Sequence, residues 1–340
     1  MEGLIVAFTY QAIEDTYQGL SAITLRADRY EAVVLPTVGA NLIAFRDTVT
    51  GSKFLREPAS NKMDDFLEKP AVYGIPVLFP PNRYEDGKFP WNGVVYEFPI
   101  NEEDTNNHLH GFLHTIPWDI EEIGTTATSS YVSLVQHVDA SHPVYSYLPH
   151  AFTFRLRYTL GENGLLQHVS IRNNGSEPMP CLLGFHTAIN APFEPGSEAG
   201  DCTFTLTTGR RRELNERMLP TGGFQPLSAE EEAMKTGGIS PFFEAMDNHY
   251  TAEPQGGRNR MVLTDKRTGT KLIYDVGTAY KHWMVWNNKL VGGFFCPEPQ
   301  LNLVNAPNID LPADEIGLVS VAAGEIWEET SRLYVVRSAG

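Results

Sequence analysis

At 340 residues, 42% of them apolar, the chain is long enough to bury a sizeable core. Its 26 Lys and Arg against 42 Asp and Glu give a net charge of −16, a poor match for phosphate backbones and anionic membranes, so neither nucleic acid nor a membrane is expected as a partner. No apolar stretch approaches the roughly 20 residues that span a bilayer, and the opening MEGLIVAFTYQ has neither a basic leader nor a small-residue cleavage site. Cys181, Cys202 and Cys296 are widely spaced and form no CxxC pair. A cytoplasmic protein with reduced thiols is expected, without a disulfide framework or a cysteine-rich zinc site.

In chain order, the predicted elements are almost all strands. EAVVLP reads as one, and NLIAFRDTVTGSKFL reads as a hairpin. ASNKMDDFLEK, before Pro70, reads as a short helix. NGVVYEFPI and YVSLVQHV are strand-like. In HAFTFRLRYTL, Phe152, Phe154, Leu156 and Tyr158 alternate with Thr153, Arg155 and Arg157. A Gly-Glu-Asn-Gly turn and LLQHVSIRNN complete a hairpin with one half-exposed face. The region from Glu198 to Gly257 is rich in Gly, Pro and charge and reads as long loops. Within it, SAEEEAMKTG carries a capping box, Ser228 to Glu231, and stops at Gly237. MVLTDKRTGTKLIYDVG is a further hairpin, turning at Thr268-Gly269-Thr270. Many strands and only short helices predict an all-β antiparallel sandwich or barrel, one domain over residues 1–340.

Three segments carry candidate chemistry. NNHLHGFLHTIPW places His108 and His110 two apart, on one face of a strand, with His114 four further on. An HxH pair suggests a metal, but no Asp or Glu follows until Asp119, so no metal is expected. CLLGFHTAINAPF places His186 after an apolar, strand-like run. FFCPEPQLNLVNAPN sets Glu298 between Pro297 and Pro299, which keep that point out of a regular central strand. A carboxylate held at a strand end near apolar walls suits a general base.

The ordered set NxLHGF, GFHxxxNxPF and CxEPxxxxxNAPN resembles the aldose 1-epimerase family, the galactose mutarotase-like proteins. GIPVLFPPNRYEDGKFPWNGVVYEFPIN is similar to the family's arginine-bearing loop, MDNHY to its acidic sugar-binding element, and GLVSVAAGEIWEETSRLYV to its C-terminal strand pair. The resemblance covers Tyr17 to Val336. It implies a large antiparallel β-sandwich with an open groove and a monosaccharide substrate. It implies Glu298 as general base on the C1 hydroxyl and His186 as general acid on the ring oxygen. His110 then helps at the ring-oxygen end, Arg83 and Asp247 bond sugar hydroxyls, and Asn107 belongs to the first histidine motif. No metal, nucleotide or covalent intermediate is required, and one carboxylate with histidines does not fit a glycosidase's paired carboxylates.

Trp91, Trp118, Trp283 and Trp286 are candidates for an apolar platform under the sugar, with Trp286 foremost. Thr187 stands where many members have Pro, and Phe112 where a second Gly is common. Glu244 or Asn248 could take the place of Asp247. A phosphosugar 1-epimerase would need a cationic pocket, with Arg56, Lys62, Arg83 and Lys88 flanking the relevant loop. A non-catalytic sugar-binding protein of the same fold is the third reading, and monomer and homodimer are both open.

Overall fold

The computed structural model describes residues 9–338. The apolar run near the start of the chain, Leu4–Ala7, lies outside the described residues. Alternation builds the strands as read. In the hairpin Phe152–Gly161 with Gly164–Asn173, the side chains of Phe152, Phe154, Leu156 and Tyr158 are buried. Arg155 and Arg157 face outward and pair at 2.9 Å with Glu121 and Glu122 of the edge strand.

This hairpin is the middle of an eight-stranded sheet. Its order is Asp119–Thr125, Ser129–Val138, Phe152–Gly161, Gly164–Asn173, Ile326–Val336, Lys271–Asp275, Arg260–Asp265 and Cys202–Leu206. A second sheet runs Pro220–Gln225, Thr208–Leu214, Asp247–Ala252, His282–Trp286, Phe294–Gln300, Gly184–Phe185 and Val77–Leu78, with Ile189–Asn190 also paired to Phe294–Gln300. A five-stranded sheet, Tyr10–Tyr17 through Ser52–Lys53, completes the main layers. One apolar cluster draws on all three, for example Ile23 and Val34, Leu156 and Val169, Trp283 and Phe295. The fold is an antiparallel β-sandwich. Its two α-helices among the described residues are short, Met63–Glu68 and Ala229–Thr236, the second closed by the Ser228–Glu231 capping box.

Two expectations are corrected. The segment from Glu198 to Gly257 is not mainly loop. It supplies four strands and a helix to the two large sheets. In Cys202–Leu206 the buried residues Cys202, Phe204 and Leu206 alternate with half-buried threonines, a period that the Gly-, Pro- and charge-rich surroundings obscure. The second correction concerns Glu298. It lies inside Phe294–Gln300, which has neighbours on both edges. Pro297 and Pro299 oppose Val285 and Trp283, and a bridge at a proline must be of the type that uses no N–H from it. Their missing donors face the gap between the Gly184–Phe185 and Ile189–Asn190 pairings. There His186 and Ala188 instead donate to Pro76 and Gly74 carbonyls, at 3.1 and 2.8 Å.

The end of the C-terminal strand is tied to the five-stranded sheet by charge. Arg337 donates to the fully buried Asp47 at 2.8 Å and to Glu194 at 3.1 Å, and Arg29 holds Asp47 from the other side at 2.7 Å. Removing one cation leaves buried carboxylates under-compensated. Arg337→Ala is expected to cost about 2 kcal/mol, read as a lower urea midpoint with an unchanged m-value. An unchanged midpoint would show that Arg29 suffices.

Candidate active site

A cavity of about 580 Å³ opens on one face of the second sheet. The register aligns Asp247 with Trp286, Trp286 with Cys296, and Met284 with Glu298. Alternation therefore puts Asp247, Trp286 and Glu298 on the cavity side and sends Trp283 and Phe295 into the core. His186 enters from the neighbouring strand end. Its Nε2 lies 3.2 Å from Glu298 Oε1.

Both groups are nearly buried, Glu298 2% and His186 5% exposed. Among the described residues, Glu298 Oε2 and His186 Nδ1 have no hydrogen-bond partner. Burial pushes the Glu298 carboxyl well above the usual range, and Asp247 adds repulsion against the opposing pull of Arg83. Burial also pushes His186 down, to about 3, with His114, Arg56 and Arg83 contributing. A general base beside a general acid, as the family resemblance implies, means an ionised Glu298 beside a protonated His186. In this setting that is one of two placements of a single shared proton. The other, a carboxylic acid beside a neutral imidazole, is the one burial favours.

His110 completes the centre, its ring perpendicular to His186 with centroids 5.2 Å apart. His108 and His110 do not share a strand face as expected. The strand ends at Leu109, and His110 turns left-handed with φ 71° while its N–H donates to Asn82 O at 2.9 Å. The turn sends His110 toward His186, whereas His108 packs on Phe98 and donates from Nδ1 to Pro99 O at 2.8 Å. Gly111 follows at φ 66°, where a Cβ would lie 2.4 Å from the Phe79 carbonyl oxygen.

Arg83 Nε donates to both Glu102 oxygens at 2.9 and 3.0 Å, and its Nη2 reaches Asp247 Oδ2 at 3.4 Å. Asn107 does not line the cavity. It is fully buried and donates to Glu102 Oε2 at 3.1 Å and to Arg217 O at 3.0 Å, so it holds the group that holds Arg83. Glu102 escaped the sequence reading, because nothing in local spacing joins residues that meet across two strands. Asp247 lines the cavity, while Asn248 points the other way to Tyr250 OH at 3.1 Å.

Of the four candidate tryptophans, Trp286 alone lines the cavity, edge-on to His186 at 5.7 Å. Trp283 and Trp118 are core residues whose indoles donate to Asn259 Oδ1 and Leu113 O. Trp91 sits in the Lys88–Trp91 strand, away from the site. Phe112 lines the cavity and stacks on Tyr147 at 4.6 Å, and Thr187 is buried. Arg56 is spent on the rings of Tyr73 and Phe294, at 4.1 and 3.8 Å. Lys62 and Lys88 pair at the surface with Asp65 and Glu97. Among the described residues no three His, Cys, Asp or Glu side chains are arranged to hold a metal ion.

Comparison with known proteins bears on the family and the fold. The family model for aldose 1-epimerase matches residues 21–334. A crystal structure of a galactose mutarotase-like protein from Clostridium acetobutylicum superposes with a TM-score of 0.93 at 31% identity, covering 97% of this chain and 99% of that one. Galactose 1-epimerase from Lactobacillus acidophilus shares the fold, with a TM-score of 0.71 at 15% identity, covering 98% of this chain and all of that one. The chain is 31% identical over 201 residues, 58% of its length, to the uncharacterised protein YihR of Escherichia coli. It is 25% identical over 169 residues, 49% of its length, to the galactose mutarotase of Rattus norvegicus. These two matches span 59% and 46% of the relatives' own lengths. With the family model matched over nearly the whole chain, this chain belongs to the aldose 1-epimerase family.

Proposed function

We propose that the protein is an aldose 1-epimerase that interconverts the α and β anomers of a free hexose such as glucose or galactose. The observation that carries this reading is the buried Glu298–His186 contact at the cavity wall, 3.2 Å across. Ring opening removes a proton from the C1 hydroxyl and delivers one to the ring oxygen. Glu298, ionised, takes the first, and His186, protonated, gives the second. The O1 electrons form the aldehyde carbonyl, and the C1–O5 pair leaves on O5. The protein is left with a carboxylic acid and a neutral imidazole, the placement that burial favours. Closed sugar with the ion pair and open sugar with the neutral pair therefore carry the same number of protons. Rotation about C1–C2 and the reverse transfers give the other anomer. His110 donates at the ring-oxygen end, and Arg83 with Asp247 binds hydroxyls beyond C1.

A free sugar fits better than a phosphosugar. Arg56 and Arg83 are engaged by rings and carboxylates, and Lys69, beside Glu68 at 3.8 Å, is the remaining cation at the cavity. We further propose a single cytoplasmic domain, in keeping with the acidic surface and three buried, unpaired cysteines.

Glu298→Gln is expected to retain sugar binding and lose turnover by roughly 10²–10⁴-fold, measured by polarimetry on fresh α-D-glucose and α-D-galactose after subtracting the uncatalysed rate. Equal turnover in the variant would remove Glu298 from the role of base, and binding without turnover in the wild type would favour a sugar-binding protein. The pH profile follows from the directions of the shifts. His186 is lowered, so the pair gains a second proton only well below the ordinary histidine value of about 6.5, and Glu298 is raised, so the shared proton is lost only above the usual carboxylate range. The rate constant kcat/KM should therefore show no acid limb near the ordinary histidine value and should fall only where the shared proton is lost, above the usual carboxylate range. An acid limb centred near 6.5 would contradict the shared proton.

A further inference from the structure

The proposed chemistry uses two imidazoles, and the cavity is lined by two more that it does not use, His108, which is tied to Pro99 O, and His114. His114 lines the cavity while only 8% exposed, and its ring stands perpendicular to His110 at 6.3 Å. Its Nδ1 is buried without a partner, and its Nε2 makes no hydrogen bond among the described residues. The mount is rigid. Its backbone is wedged against Gly39, where a Cβ would lie 2.3 Å from the His114 carbonyl oxygen, and Gly39 N–H bonds Ile116 O at 2.9 Å. Burial pushes His114 down to about 4, so at neutral pH the ring keeps one N–H and one lone pair, able to give or accept one hydrogen bond to a hydroxyl.

Where His114 lies relative to the reacting atoms decides which hydroxyl. Glu298 faces O1. In strand order Asp247 lies two strands to one side of Glu298, with Arg83 bonded to it, and in the proposed pose this pair meets the C2 side of the ring. On the other stand His186 and His110, at the ring oxygen, and then His114. Beyond the ring oxygen a pyranose continues to C5, and C5 carries the exocyclic carbon. We propose that His114 is a specificity residue that hydrogen-bonds the C6 hydroxyl, selecting aldohexoses over 6-deoxyhexoses and pentoses. This inference rests on the epimerase reading above and extends it to the substrate class. A buried imidazole turned to a substrate hydroxyl discriminates strongly, because the analogue without that hydroxyl leaves the imidazole unpaired.

The test compares kcat/KM for D-galactose and its 6-deoxy analogue D-fucose, and for D-glucose and D-xylose, in wild type, His114→Phe and His114→Gln. Thermal melting of each variant is recorded alongside. The wild type is expected to prefer each hexose by about tenfold or more. In His114→Phe the hexose rate should fall by that factor, the deoxy and pentose rates should stay within about twofold, and His114→Gln should restore part of the preference. A wild type that does not discriminate overturns the proposal, whether or not the variants fold. So does a ratio that is the same in wild type and His114→Phe. A wild type that accelerates none of the four sugars overturns the epimerase reading itself, and this inference with it, which is a separate outcome from an active enzyme with no C6 preference.

Discussion

The contact between Glu298 Oε1 and His186 Nε2 depends on a strand that two prolines would ordinarily break. Phe294–Gln300 runs through the middle of a sheet, and its prolines sit at register positions where the ladder to His282–Trp286 asks for no donor. On the other edge, pairing stops between Ile189–Asn190 and Gly184–Phe185. His186 occupies that interruption. The prolines thus do two things with one constraint. They stiffen the backbone on both sides of the carboxylate, and they leave an opening in the sheet through which the imidazole reaches it.

Burial then sets the chemistry. A carboxyl group and an imidazole both lose by being charged when withdrawn from water, so their proton affinities move toward each other and past. Burial thus raises the Glu298 carboxyl and lowers the His186 imidazole. Under the function proposed above, the sugar is the bridge by which a proton passes between them. The arginine and aspartate nearby act in opposite senses on Glu298, Asp247 raising its proton affinity and Arg83 lowering it. Glu102, held by Asn107, takes much of the charge of Arg83. The site is therefore a balanced set of charges, and the carboxylate is tuned by residues from four separate segments of the chain.

Local pattern made most of the fold legible. Alternation predicted the hairpins and which side chains face the core, because side-chain period 2 is dictated by the strand itself. It failed where glycine, proline and charge crowd the strands, as between Glu198 and Gly257, since there pairing partners far along the chain stabilise strands that composition disfavours. It failed again at His110. A two-residue spacing implies one face only while the backbone stays extended, and a left-handed turn ends that condition.

The sequence by itself determined the all-β class, the short helices and their caps, and the motifs that place Glu298, His186 and His110 in this family, because each is written in spacings of a few residues. Only the tertiary structure decided that Glu298 is mid-strand, that Asn107 supports Glu102 while Glu102 holds Arg83, that Trp286 and not Trp283 faces the cavity, and that His114 is a further imidazole there. The physical reason is common to all of these. Which face a side chain takes, and what charge it meets there, follows from register and strand order between segments of the chain, and no local spacing carries that information.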